Sequence, residues 1–166
     1  LRISESIGAK LDDPPHQRSA FWAPVSVTKR KDGTAGLFPH ILLDRAKPGL
    51  IAVNSAGQRF VNEAVSYHDF VEAMYSSHEN VDTIPAWLIC DSFFVRKYGI
   101  GTIYPGTKKL EKFAEAGYAK ISNTISDLAK SIGISQLKVE TKIIDNAKEI
   151  AETLNDFFVN VGPNTE

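Results

Sequence analysis

Tyr67 follows a serine and precedes His-Asp-Phe, an order that can seat a phenol at the start of a helix. Such a phenol can act as an acid or a base. A tyrosine titrates near ~10 in water. Unpaired first-turn amides favour negative charge by roughly 0.3–1 kcal/mol at an exposed site. That is less than one pKa unit, since one unit corresponds to ~1.4 kcal/mol. The helix end alone therefore does not make Tyr67 a base at neutral pH, and a second donor is required. The alternative is a core aromatic packed with Phe70 and Val71.

Other reactive residue types are scattered. His68 adjoins Tyr67 but points about 100° around the same helix. His40 follows Phe38-Pro39 in a loop and reads as solvated or locally hydrogen-bonded. The four histidines show no paired spacing, so no metal site is expected. Cys90 ends the apolar run Trp87-Leu88-Ile89 and reads as an inert core thiol. Phe21 and Trp22, beside Pro24, can line a pocket or pack a core. Gly99-Ile100-Gly101 opens like a dinucleotide fingerprint but has Tyr104 where the third glycine belongs, and it follows a helix rather than a strand. No P-loop is present.

The elements that hold these residues follow from local patterns. Leu50–Val53 and Gln58–Val61 read as a hairpin joined by Asn54-Ser55-Ala56-Gly57. Ser66 with Asp69 fits a capping box. Tyr67, Phe70, Val71, Met74 and Tyr75 then fall on one helical face. Residues 21–29 read as a strand closed by a turn at Lys31-Asp32-Gly33. Residues 84–90 read as a buried strand. Residues 91–98 read as a short helix closed by Gly99, 101–106 as a loop, and 108–116 as helical. Thr124 with Asp127 caps a helix that ends at Gly133. Leu1–Ala9 reads as the end of a helix, and residues 11–19, with Asp12-Asp13 ahead of two prolines, as a loop. An amphipathic helix capped by Asn146 is expected in the tail. Strands and helices mix without a βαβ rhythm, so α+β is the expected class.

At 166 residues and 43% hydrophobic, the chain can bury one real core. A net charge of −1 provides no basic field for nucleic acid or an anionic membrane. Asp12-Asp13 and Lys29–Lys31 read as solvated loop charges. No apolar run approaches the ~20 residues of a membrane span. The single cysteine excludes an internal disulfide and fits a reducing compartment. With no apolar h-region at the start, the expected location is cytoplasmic. The chain lacks an initiator Met and reads as a piece of something longer.

The stretch VNSAGQRFVNEAVSYHDF at 53–70 resembles the capping, substrate-binding domain of flavin enzymes. These include succinate dehydrogenase, fumarate reductase and, most similar, 3-ketosteroid Δ1-dehydrogenase. LRISESIGAK at the start, FWAPVS at 21–26, FPHILLDRAKPG at 38–49 and PAWLICDSFFVRKYGIG at 85–101 extend the resemblance, and GYAK at 117–120 and DLAKSIGI at 127–134 continue it. It covers about residues 1–135. The tail after 135, IIDNAKEIAETLNDFFVNVGPN, resembles a segment ahead of the reverse transcriptase in non-LTR retrotransposons, over a shorter length.

The resemblance implies a flavoprotein cap over 1–135 with short strands and packed helices, and a separate helical tail over 136–166. It implies FAD, bound mainly by a domain absent from this chain, as a partner. It implies a small apolar ketone or ketosteroid-like substrate. Tyr67 stands where ketosteroid dehydrogenases place the tyrosine that takes a proton beside a carbonyl, hydride passing to the flavin. Trp22 and Phe38, on two of the matched stretches, are the candidate substrate-binding residues. Fumarate reductases carry an arginine at the Tyr67 position, and Arg45 is out of register with their relay. A fumarate reductase-like cap and a non-catalytic interaction fragment are the alternatives. Alone, the chain is expected to be inactive.

Overall fold

A computed structural model describes residues 6–8, 23–41, 43–139 and 142–143. The expected N-terminal helix end (save Ser6–Gly8), the Asp12-Asp13 loop, Phe21, Trp22 and the Asn146 helix lie outside the described residues. What is described is α+β: three two-stranded antiparallel sheets and four short helices.

The first sheet pairs β1 (Val25–Lys29) with β2 (Ala35–Pro39) across the expected Lys31-Asp32-Gly33 turn. Asp32 closes that turn by accepting the Thr34 N–H and hydroxyl. Lys29, Arg30 and Lys31 are exposed, as solvated charges should be. Ser26 and Thr28 face inward while Val25 and Val27 face out.

The second sheet departs from the sequence expectation. β3 (Leu50–Val53) pairs with β4 (Trp87–Cys90), not with residues 58–61. The Asn54–Gly57 turn does form, with Asn54 accepting the Ala56 and Gln58 amides. Only one bridge, Val53 to Arg59, follows it. Two groups occupy the places a returning strand would fill. Glu63 Oε1 accepts the Ala52 N–H at 2.8 Å, and the Lys138 carbonyl accepts the Arg59 N–H at 3.0 Å. Gly57 is needed here: a Cβ on it would lie 1.9 Å from the Gln136 carbonyl oxygen.

All four β3 residues are buried, as a strand covered on both faces should be. Ile51 and Val53 join Ile89, Ala129, Ile134 and Leu137 in the apolar core, with Trp87 and Leu128 packed on it. Ala129 and Leu128 come from α4 (Ile125–Ser131), capped by Thr124. β5 (Lys138–Val139) and β6 (Lys142–Ile143) follow. The packed core thus runs past residue 135, through Leu137.

Three more helices complete the frame. These are α1 (Tyr67–His78), α2 (Ser92–Tyr98) and α3 (Glu111–Glu115). α2 begins at its Asp91 cap and closes at Gly99, as expected. α3 is shorter than the expected 108–116 run, and its N-cap Leu110 makes no side-chain cap bond.

Candidate functional site

Tyr67 is the first residue of α1, directly after its cap Ser66. Ser66 Oγ accepts the Asp69 N–H at 3.1 Å. The Asp69 carboxylate accepts the Ser66 hydroxyl at 2.8 Å. The expected reach of residue 69 back to the cap amide is replaced by this bond, since aspartate is one methylene shorter than the usual glutamate. Phe70 is the buried residue of α1, while Tyr67 is 39% exposed. Tyr67 and Tyr75 therefore lie off the packed face that periodicity assigned to them. Tyr67 is thus a partly exposed residue rather than part of the buried core.

A buried ionic junction lies just ahead of the helix and reaches it through Phe70. Glu63, 1% exposed, accepts Arg59 Nη2 at 2.6 Å and Nε at 3.0 Å. Its backbone carbonyl accepts Arg45 Nη1. Arg45 is fully buried, donates Nε to the His40 carbonyl at 2.9 Å, and lies 4.8 Å over the Phe70 ring. Burial lowers the Arg45 pKa, against the pull of Asp44 and Glu63 in the other direction. A guanidinium this enclosed holds the 40–45 loop, residue 63 and α1 together. It is not placed to pass a proton to a substrate.

His40 is buried rather than solvated, and it anchors a polar chain that the sequence did not reveal. His40 Nδ1 lies 2.6 Å from Asp44 Oδ2, and Nε2 lies 2.9 Å from Ser26 Oγ. Ser26 Oγ lies 2.7 Å from the Tyr118 hydroxyl, whose oxygen accepts the Thr102 N–H. Asp44 also accepts the Arg45 and Gly101 amides. Burial pushes the Asp44 carboxyl up, but the His40 bond and charge with the two amides outweigh it and hold it below its ordinary value. The ionised Asp44 accepts, so His40 donates to it from Nδ1. The Ser26 hydroxyl links the other ring nitrogen to the Tyr118 hydroxyl. The result is a continuous polar chain that joins Tyr118, Ser26, His40 and Asp44.

Phe38, opposite Ser26 in the β1–β2 register, stacks edge-on against His40 at 5.3 Å. Trp22 lies outside the described residues. Cys90 is a core-side thiol, pushed up to about 12 by burial and then by Asp91 and Asp44. His68, Asp69 and Glu72 bring one ligand atom each to within 4.8 Å of one another. That grouping was not legible from histidine spacing, and the Asp69 carboxylate is already an acceptor of the helix cap. Among the described residues no helix is long and apolar enough to cross a membrane.

The profile of the FAD binding domain family matches residues 1–159, nearly the whole chain. The chain belongs to that family. The match continues beyond residue 135 into the tail. 4-Oxocyclohex-2-ene-1-carboxylate 5-dehydrogenase of Sinomonas cyclohexanicum is 41% identical over 76% of this chain and 21% of its own length. 3-Oxosteroid 1-dehydrogenase of Mycobacterium tuberculosis is 29% identical over 81% of this chain and 23% of its own. In three dimensions the chain resembles 3-ketosteroid delta1-dehydrogenase from Sterolibacterium denitrificans, crystallised with 1,4-androstadiene-3,17-dione. There the TM-score is 0.59 at 32% identity, covering 87% of this chain and 25% of that one. The chain spans about a fifth to a quarter of the length of these relatives.

Membership makes FAD the cofactor of the family, but the described residues do not fit the cofactor's pyrophosphate. A dinucleotide site places a glycine turn between a strand and an open helix N-terminus. Here the starts of α1, α2 and α4 are closed by Ser66, Asp91 and Thr124. Asp69, Asp91 and Asp127 place negative charge at those same ends. The sheets are antiparallel pairs. The described part of this family member is therefore not the part that cradles the dinucleotide.

Proposed function

We propose that this chain is the capping, substrate-facing part of an FAD-dependent dehydrogenase of ketones, with Tyr67 taking the proton from the carbon beside the carbonyl. The observation that carries the reading is the partly exposed Tyr67 at the first position of α1, a helix anchored through Phe70 to the Arg59–Glu63–Arg45 junction. An acid/base side chain on an anchored, partly exposed helix start is what proton abstraction requires. The named activities of the relatives, dehydrogenation of oxocyclohexene carboxylates and 3-oxosteroids, supply the substrate class. Phe38 and Trp22 are proposed to contact the ketone's apolar body. The FAD lies on a domain outside the described residues, and the cap alone carries out no turnover. The cap proper takes in residues 1–135 together with Leu137 and the β5–β6 pair. The location is cytoplasmic.

The test is a complete enzyme, in which this chain is joined to a flavin-binding portion from a relative. A 3-oxosteroid or an oxocyclohexane carboxylate is offered with an artificial electron-accepting dye. Tyr67→Phe is expected to lose most of the turnover, at least the roughly 10²-fold typical of removing a general base. Unchanged turnover in that variant refutes the role of Tyr67.

A further inference from the structure

The β1–β2 hairpin is built inside out. Its inner face carries Ser26, Thr28, Phe38 and, just past β2, the buried His40. Its outer face carries Val25 beside Pro39, Val27 beside Leu37 and Lys29 beside Ala35. Each of these is exposed. The alternation runs on past the strand, where Ile41 and Leu43 are exposed while His40 and Asp44 are buried. Leu37 is 62% exposed and Leu43 83%. A single exposed apolar side chain is ordinary. Exposed apolar residues at every second position from Ala35 to Leu43, with Val25 and Val27 beside them, form the kind of patch that marks an interface. At the turn, Lys29, Arg30 and Lys31 are exposed and enter no ion pair among the described residues. Asp32, the acid of that turn, is already bound by Thr34.

We propose that this outer face is the seat of the flavin-binding portion of the enzyme, a body whose matching surface is apolar and edged with carboxylates. The inference rests on the reading of this chain as the substrate-facing part of an FAD-dependent dehydrogenase. The chain spans 21–25% of the relatives' length, so most of such an enzyme lies outside it and must pack against it. The inner face of the hairpin is already occupied by the chain of Ser26, His40 and Asp44. The outer face is the one left to receive another body. Burial of Val25, Val27, Leu37 and Leu43 supplies the attraction. Lys29, Arg30 and Lys31 supply the charge that selects a partner edged with acids. A second copy is the poorer occupant, since it carries the same cations and, along this face, no acid but the engaged Asp32.

The experiment places single cysteine probes, Leu37→Cys, Leu43→Cys and, on exposed α4, Lys130→Cys, in two proteins. One is the free 166-residue chain and the other is that chain joined to a relative's flavin-binding portion. The native Cys90 competes poorly, because burial pushes its thiol up to about 12. Labelling by N-ethylmaleimide is read by mass spectrometry. In the free chain all three probes should react alike. In the joined enzyme the probes at 37 and 43 should react at least ~10-fold more slowly, and the probe at 130 should not change. Equal rates in the two proteins would overturn the proposal. So would protection already present in the free chain, which at any concentration means its own tail and only at high concentration a second copy. Val27→Asp with Leu37→Asp should leave the urea midpoint of the free chain unchanged and lower the FAD retained by the joined enzyme. A fallen midpoint or full retention overturns the seat. Lys29→Glu with Lys31→Glu should restore part of the labelling, and no change there removes the charge from the account. A joined enzyme that shields the probes but keeps its turnover in Tyr67→Phe refutes the role of Tyr67 alone. One that turns over with bare probes refutes the seat alone.

Discussion

The β3–β4–α4 region and the β1–β2–Tyr118 region are held by opposite means. The first is a dry contact of Ile51, Val53, Ile89, Ala129 and Leu137. The second is a chain of hydroxyls and an imidazole ending on a carboxylate. Apolar contacts are non-directional and tolerate a lost methyl group. A buried hydrogen-bonded chain tolerates no change of donor to acceptor, because each unpaired group costs its full desolvation. One region is specified by volume and the other by the pairing of each polar group. Tyr67 stands between these solutions on a helix fixed by the Arg59–Glu63–Arg45 junction.

The largest expected effect is at that junction. Glu63→Ala takes the buried carboxylate from Arg59 and frees the Ala52 amide, and should lower stability by about 3–5 kcal/mol in urea unfolding. A loss below about 1 kcal/mol would show that the ionic junction is dispensable.

Next comes Asp44→Asn, which keeps shape but turns half of an acceptor into a donor beside His40 and Gly101. A loss of about 1–3 kcal/mol is expected. The same variant tests pH dependence. The Asp44 pKa is lowered in the folded state. Its contribution is therefore complete above the unfolded aspartate value near ~3.9 and is lost as pH falls through the lower folded value. The parent chain should lose this stability in acid, and Asp44→Asn should flatten that part of the curve. An unaltered acid slope would remove Asp44 from the account.

Ile51→Val, at a site with no exposure, should cost only about 1 kcal/mol despite its central position. A cost above that of Asp44→Asn would invert the contrast between the regions. The smallest effect is expected for Tyr67→Phe, within about 0.5 kcal/mol in stability, because the ring stays and the position is on the surface. A large loss there would return Tyr67 to the role of a packed aromatic.

Local signals were legible in the sequence where local chemistry decides the outcome. The Ser66 and Thr124 caps and the Asp91-to-Gly99 helix form as read, since each is closed by groups within a few residues. The partner of β3 was not legible. The Asn54–Gly57 turn is compatible with a hairpin, and only the distant Lys138 and the side chain of Glu63 divert residues 59–63 from it. Nor was the His40 chain, whose Ser26 and Tyr118 members lie 92 positions apart. Periodicity placed Tyr67 and Tyr75 on a packed face because it counts tyrosine as apolar. It has no means of seeing that Phe70 alone turns fully inward. The α+β class and membership of a flavin family were readable, the first from mixed periodicities and the second from the RFVNE-type stretch.

The backbone bond from the Lys138 amide to the Gly57 carbonyl, at 2.7 Å, sets an order of events during synthesis. The Asn54–Gly57 turn leaves the ribosome some eighty residues before its partner. At roughly 5–20 residues per second, β3 waits several seconds for Leu137 and Lys138. Until then the Ile51 and Val53 faces lack part of their cover. Contacts so far apart in sequence form slowly, and a nascent chain paused between residues 60 and 137 presents a sticky edge that a chaperone would bind and a finished chain would hide.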